Sequence, residues 1–206
     1  MRVLPLALWH RGTDEELVAD AHTQSLVTHG HPRSQVCCAL YCLWARRVAR
    51  GEDVKAAWTA ASEQLEEIYI RTSPKYLGEL GFHVRPLDDI KGRGSGYVVD
   101  CLRSARDACF AGDYETTIKT AIALGHDTDT TACVAGGIAG LVAGVDGIPI
   151  RWREGLRARE LAASPHRQAG GAGRGLNDAR ASETNRRTSK GRGSPSRRRD
   201  GRGGAA

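Results

Sequence analysis

Asp127 and Asp129 stand two apart in the run Gly125-His126-Asp127-Thr128-Asp129-Thr130-Thr131-Ala132, which crowds two carboxylates and several hydroxyls into a few residues. A hard divalent cation such as Mg²⁺ takes oxygen ligands in a near-octahedral array and keeps several of its waters. Two aspartates spaced this way in an extended loop can face one ion, and the Thr130 hydroxyl can complete an edge. The same residue types also begin helices, because their side-chain oxygens accept from the free amides of the first turn. On spacing alone, a plain helix cap at Asp129 or Thr130 stays open beside the metal reading.

The elements that must position this loop read as helices. Thr13-Asp14-Glu15-Glu16 has the T-x-x-E form of a capping box, opening a helix through Leu17, Val18, Ala21 and Ser25 that ends near His29-Gly30-His31-Pro32. Apolar residues at Val36, Cys37, Leu40, Tyr41, Trp44 and Val48 follow with helical period, and Arg46, Arg47 and Arg50 ahead of Gly51 mark that helix's last turn. A third helix carries Val54, Ala57, Trp58, Ala61, Leu65, Ile68 and Tyr69 on one stripe. Residues 71–96 read as irregular, with Lys91-Gly92-Arg93-Gly94-Ser95-Gly96 a flexible cationic loop. A helix with Val98, Cys101, Leu102, Ala105 and Cys109 inward comes next, then one from Tyr114 to Leu124 capped by Asp113. The helix after Asp129 is rich in small residues (Ala132, Ala135, Gly136, Gly137, Ala139, Gly140, Ala143). Glycine costs helix stability, so neighbouring backbones are expected to approach this helix closely. A short helix is expected around Trp152–Leu161. No strand pattern is present, and the fold class is all-α.

Composition divides the chain. From Ser164 to Ala206 there are eleven Lys/Arg against three Asp/Glu, a net +8, while the whole chain is +6 and the part before it about −2. That segment has no aromatic residue and only Leu176 as a large aliphatic, too little apolar surface to offset the entropy of ordering. The expected organisation is a helical domain over 1–163 and a disordered Arg/Gly/Ser-rich tail over 164–206. The tail's charge can meet nucleic acid only in a non-specific, salt-dependent way, with no aromatics to stack on bases. The cysteines (37, 38, 42, 101, 109, 133) form no CxxC pair and sit in apolar helical stretches, which reads as buried free thiols and a cytoplasmic protein. Val3–Trp9 is a weak imitation of a signal peptide without a cleavage site, and no stretch has the length of a membrane span.

Several ordered motifs together resemble the ADP-ribosylglycohydrolase family. They are Met1-Arg2-Val3-Leu4-Pro5-Leu6-Ala7, similar to the end of that family's G-A-M-R-x-x-P motif, and Ser25-Leu26-Val27-Thr28-His29, similar to its S-x-x-T-H motif. Gly94-Ser95-Gly96-Tyr97-Val98-Val99-Asp100 follows, then Ala121 through Thr130, Ala135-Gly136-Gly137-Ile138-Ala139-Gly140 and Gly147-Ile148-Pro149. The resemblance implies the family's orthogonal helical bundle, here incomplete, and a Mg²⁺-dependent cleavage of the bond between ADP-ribose and a protein side chain or small acceptor. It implies that Asp127, Asp129 and Thr130 are ligands in a two-Mg²⁺ centre and that His29 contacts substrate. It also places Gly94, Ser95, Gly96 and Tyr97 against ADP-ribose, the glycines admitting backbone amides to a phosphate and Tyr97 stacking on a ring. No catalytic residue is assigned, and His126 receives no role. The family's T-D-D-T motif, which supplies the other metal ligands, has no counterpart; Asp88-Asp89 lies in the wrong region to replace it. The expectation is therefore a chain truncated at its start, monomeric, with weak or absent activity on an ADP-ribosylated protein or derivative. A non-catalytic module binding ADP-ribose or a nucleotide is the alternative.

Overall fold

The computed structural model describes residues 2–157. The chain divides at Arg153/Glu154 into two units, and the architecture below is that of the first. The tail over 164–206, and the part of the expected last helix beyond residue 157, lie outside the described residues.

Helix α3 (Pro32–Ala49) organises the unit. Its run Val36-Cys37-Cys38-Ala39-Leu40-Tyr41-Cys42-Leu43-Trp44-Ala45 is buried on all sides, as a helix apolar around its circumference must be. Around it pack α1 (Leu4–Trp9), α2 (Asp14–Leu26), α4 (Val54–Thr72), α5 (Val98–Cys109) and α7 (Thr128–Ala143), with α6 (Tyr114–Ala123) against α5 and α7. A short α8 (Ile150–Glu154) follows. Among the described residues there is no strand, and no helix is long and apolar enough to cross a membrane.

The local signals account for most boundaries. Thr13 and Glu16 form the reciprocal capping box, and Asp53 and Asp113 cap α4 and α6 through their side chains. The α4 stripe is buried from Ala57 to Tyr69. The structure departs from or adds to the sequence reading at four points. The segment over residues 71–96 contains a 3₁₀ turn at Pro74–Tyr76 and a π-helical stretch at Glu79–Val84, held by burial of Tyr76, Leu80 and Val84. Val3 and Ala7 are buried, so the first helix belongs to the core. Arg46 is no surface C-terminal cation: it is 6% exposed, and its guanidinium bonds Asp14 (2.7 Å), the Gly12 carbonyl and His10. The last helix is also shorter than expected within the described residues, at Ile150–Glu154.

The small residues of α7 admit side chains rather than backbones. A Cβ on Gly137 would lie 2.5 Å from the Tyr41 hydroxyl and 2.9 Å from Leu4 Cδ2, and one on Gly136 would lie 2.9 Å from Ile118 Cδ1. Tyr41 thereby reaches across to donate to the Val134 carbonyl (2.9 Å) inside the core.

Candidate active site

The turn from α6 to α7 is a tight reversal. Gly125 (φ 72°) and His126 (φ 57°) both take left-handed backbone conformations, and Asp127 then occupies the N-cap position of α7 without a side-chain bond to the helix amides. The cap reading of Asp129 and Thr130 is thereby displaced: both lie inside the helix's first turn, at its second and third positions. The first turn instead presents the Asp127 carboxylate beside the Thr130 hydroxyl and the Asp129 side chain, and the hydrogen bond from the Thr130 hydroxyl holds the Asp127 carboxyl below its ordinary value.

Asp127, Asp129 and Thr130 open onto a cavity of about 540 Å³, within the size range of small-molecule sites. Its other walls come from distant parts of the chain: Arg2 ahead of α1, Ser25, Thr28 and His29 at the end of α2, Cys38 of α3, Gly96 and Cys101 around the start of α5, and Cys133 one turn along α7. His29 is exposed; its Nδ1 lies 2.9 Å from Thr28 Oγ1, and the Arg2 guanidinium donates to the same hydroxyl at 3.4 Å. The Ser25 hydroxyl donates to the His29 carbonyl at 3.0 Å and fixes the turn. Gln35 of α3 donates to the next carbonyl, Gly30, at 2.9 Å, and accepts from the buried Tyr76 hydroxyl.

Gly96 packs directly on the carboxylate: a Cβ there would lie 2.5 Å from Asp127 Oδ2. Gly94, at φ 79°, offers its carbonyl to the Asp127 amide at 2.9 Å. Gly94 and Ser95, expected to face a phosphate, have their amides engaged within the chain. Their amides donate inward, Gly94 to the Ser104 hydroxyl (2.9 Å) and Ser95 to Asp100 (2.7 Å). Burial works against the Asp100 charge, but the hydrogen bonds from Ser95 and Arg93 outweigh it and keep the carboxyl below its usual value. Tyr97 does not line the cavity; it is 52% exposed, and its hydroxyl accepts from Arg33 at 2.7 Å. Of the residues singled out in the sequence, His29, Gly96, Asp127, Asp129 and Thr130 therefore converge, while Gly94, Ser95 and Tyr97 stand behind or beside them.

Sequence reasoning missed Arg2, Thr28 and the thiol wall. Arg2 was visible only as part of a motif, and Cys133 is exposed, against the expectation that every cysteine is buried. Cys38 and Cys101 are buried, and burial pushes the Cys101 thiol up to about 11. The Asp127–Thr130 turn itself offers only oxygens, a set that suits a hard cation such as Mg²⁺. Among the described residues no cluster of three or more His, Cys, Asp or Glu is arranged to hold a metal. Two carboxylates and a hydroxyl thus fit one side of an oxygen site, the other positions falling to water or to further donors.

The family profile of the ADP-ribosylglycohydrolases matches residues 1–184. The chain is 29% identical over 153 residues to the ADP-ribosyl-[dinitrogen reductase] glycohydrolase of Rhodospirillum rubrum, covering 74% of this chain and 47% of that protein. It is 30% identical over 155 residues to the ADP-ribosylarginine hydrolase Tri1 of Pseudomonas putida, covering 75% and 40% respectively. A 42-residue stretch, 20% of this chain and 11% of the relative, is 55% identical to the ADP-ribosylhydrolase ARH3 of Danio rerio. The chain spans about half the length of the first two relatives or less. With the profile covering most of its length, the chain belongs to the ADP-ribosylglycohydrolase family.

Proposed function

We propose that the cavity binds an ADP-ribosyl group beside Mg²⁺ and forms one side of a site that hydrolyses the bond between ADP-ribose and a protein side chain. The observation that carries this reading is the convergence of His29, Gly96 and the Asp127–Thr130 turn, drawn from separate stretches of the chain, onto one cavity. Asp127, Asp129 and the Thr130 hydroxyl would hold the cation, which when bound orients oxygens of the sugar and polarises the bond to be cleaved. Arg2 and His29 sit across the same cavity, where the guanidinium would face the anionic part of the ligand. The carboxylates would face the positive charge that builds at the anomeric carbon as a glycosidic bond breaks. The relatives are named for ADP-ribosylarginine and for ADP-ribosylated dinitrogen reductase, so an ADP-ribosylated protein is the substrate class we assign. We further assign the protein to the cytoplasm as a monomer, the buried free thiols suiting a reducing compartment.

A second reading has its own support. The described residues bring two carboxylates and the Thr130 hydroxyl to the cavity but no third carboxylate, a donor set that favours binding of ADP-ribose over turnover. Calorimetric titration of the full chain with Mg²⁺ and ADP-ribose, alongside release of ADP-ribose from modified protein, separates them. Binding with release supports hydrolysis, and binding without release supports the binding module. Absence of both Mg²⁺ and ADP-ribose binding would refute the site.

A further inference from the structure

Helix α5 carries Asp100, Ser104 and Asp107 at spacings of four and three, one stripe of a helix, and that stripe captures four consecutive backbone amides of the preceding loop. The Gly92 amide donates to Asp107 Oδ2 at 2.9 Å, Arg93 to Asp100 Oδ1 at 2.9 Å, Gly94 to Ser104 Oγ at 2.9 Å, and Ser95 to Asp100 Oδ2 at 2.7 Å. The loop lies so close to the helix that a Cβ on Gly92 would overlap Ser104. Its other side meets the α6–α7 turn. The Gly94 carbonyl accepts from the Asp127 amide at 2.9 Å, Gly94 abuts Leu124, and Gly96 abuts the Asp127 carboxylate. Asp127 makes no side-chain cap bond to α7; its carbonyl accepts from the Thr131 amide of that helix at 3.1 Å and its amide donates to the loop, so its backbone is held between α7 and the loop, and the loop is located from α5.

From this continuous path we infer that Asp100 is the positioning residue of Asp127, acting with Ser104 through the backbone of residues 93–96 and touching neither ligand nor cation itself. An aspartate is the residue for the task because its two oxygens grip two amides at once from a short side chain. Asparagine keeps one acceptor and turns an N–H toward a donor, and glutamate reaches too far. Groups that orient a metal ligand from behind govern metal affinity strongly without bonding the metal.

The inference rests on reading Asp127 as a metal ligand, and its test separates the two. In the full chain, Mn²⁺ affinity is measured by electron paramagnetic resonance and exchange of the Asp127 amide by nuclear magnetic resonance without metal. Asp100→Asn is expected to weaken Mn²⁺ binding about 10- to 100-fold and to speed Asp127 amide exchange by about tenfold or more. Ser104→Ala, which removes only the Gly94 acceptor, is expected to shift both in the same direction by less, and serves if the first variant fails to fold. Asp53→Ala, which removes the cap of α4 outside the cavity, controls for general destabilisation and is expected to leave both readouts unchanged. Wild-type protection of the Asp127 amide in Asp100→Asn and Ser104→Ala, or equal effects from Asp53→Ala, would overturn the inference. Wild-type protein that fails to bind Mn²⁺ removes the metal reading instead, and the amide exchange still decides whether Asp100 places Asp127.

Discussion

Gly96 and His126 show how little room the cavity leaves around Asp127. An added methyl at Gly96 would press on the end of the Asp127 side chain, not on backbone, so the carboxylate would swing aside while the fold survives. Gly96→Ala is therefore expected to change Tm by no more than about 4 °C yet weaken Mn²⁺ binding by about tenfold or more; thermal melts and Mn²⁺ titration on the same sample check the split. A fall in both, or in stability alone, would mean that Gly96 serves packing and not the site. His126 has the opposite character. No property of its imidazole drew attention in the sequence, and its importance in the structure is its backbone, at φ 57° between Gly125 and Asp127. A left-handed residue with a Cβ costs about 1–2 kcal/mol, and a β-branched one costs more because its χ1 is crowded as well. His126→Gly and His126→Asn are expected to fold at least as stably as wild type, whereas His126→Val loses a further 1 kcal/mol or so by urea denaturation.

At the scale of elements, legibility followed the range of the forces. The capping box at Thr13, the stripe of α4 and the cap at Asp113 were readable because each is settled within a turn or two of helix. Helix α1 was not: six residues beginning next to Pro5 carry too short a pattern, and their helicity comes from packing Val3 and Ala7 on the core. The π-helical stretch at Glu79–Val84 hid for the same reason, as did the burial of Arg46, whose partners lie more than thirty positions away. The Asp127 turn was legible as chemistry, but its support from α5 was not, because Asp100, Ser104 and Asp107 look in sequence like ordinary polar helix positions. The small residues of α7 were read correctly as a sign of close approach and wrongly as backbone contact. Tyr41, Leu4 and Ile118 fill the space, so the helix is keyed to α1, α3 and α6 by individual side chains. Gly137→Leu would drive a branched side chain into Tyr41 and Leu4 and is expected to cost about 1–3 kcal/mol. Tyr41→Phe, which leaves the Val134 carbonyl without its added donor, is expected to cost only about 1 kcal/mol. Urea unfolding of both decides whether shape or the hydrogen bond dominates that joint.

At the scale of the molecule, two polar clusters tie distant helices together and set how stability depends on pH. Arg46 joins α3 to the start of α2 through Asp14, whose carboxyl stays below its usual value because the hydrogen bonds from Arg46 and Gln64, with the Arg46 charge, outweigh the opposing effect of burial. Asp53 and Asp113 are held low by the helix amides they cap. Groups of this kind stabilise the fold above their unfolded value of about 4 and lose that contribution as pH falls through their lower folded values. His22 works in a higher window. Its Nε2 lies 2.8 Å from the Tyr69 hydroxyl, its ring packs on Tyr76, and burial, then the Lys75 charge, pushes it down to about 4. Burial also raises the Tyr69 hydroxyl, so that group keeps its proton and shares a hydrogen bond with a neutral imidazole. Between about 6.5 and about 4 the unfolded chain therefore binds a proton that the fold excludes, and stability falls as the solution is acidified across that range. Because the ring is partly solvated the full linkage value is discounted, leaving about 1–2 kcal/mol. Tyr76, packed on the His22 ring, also bonds Gln35, which holds the Gly30 carbonyl beside His29. Urea unfolding at intervals from pH 7 to pH 4.5 should show this decline in wild type and a flatter profile in His22→Gln, which keeps a polar partner for Tyr69 but does not titrate. Parallel profiles in the two proteins would assign the acid sensitivity to the carboxylates alone.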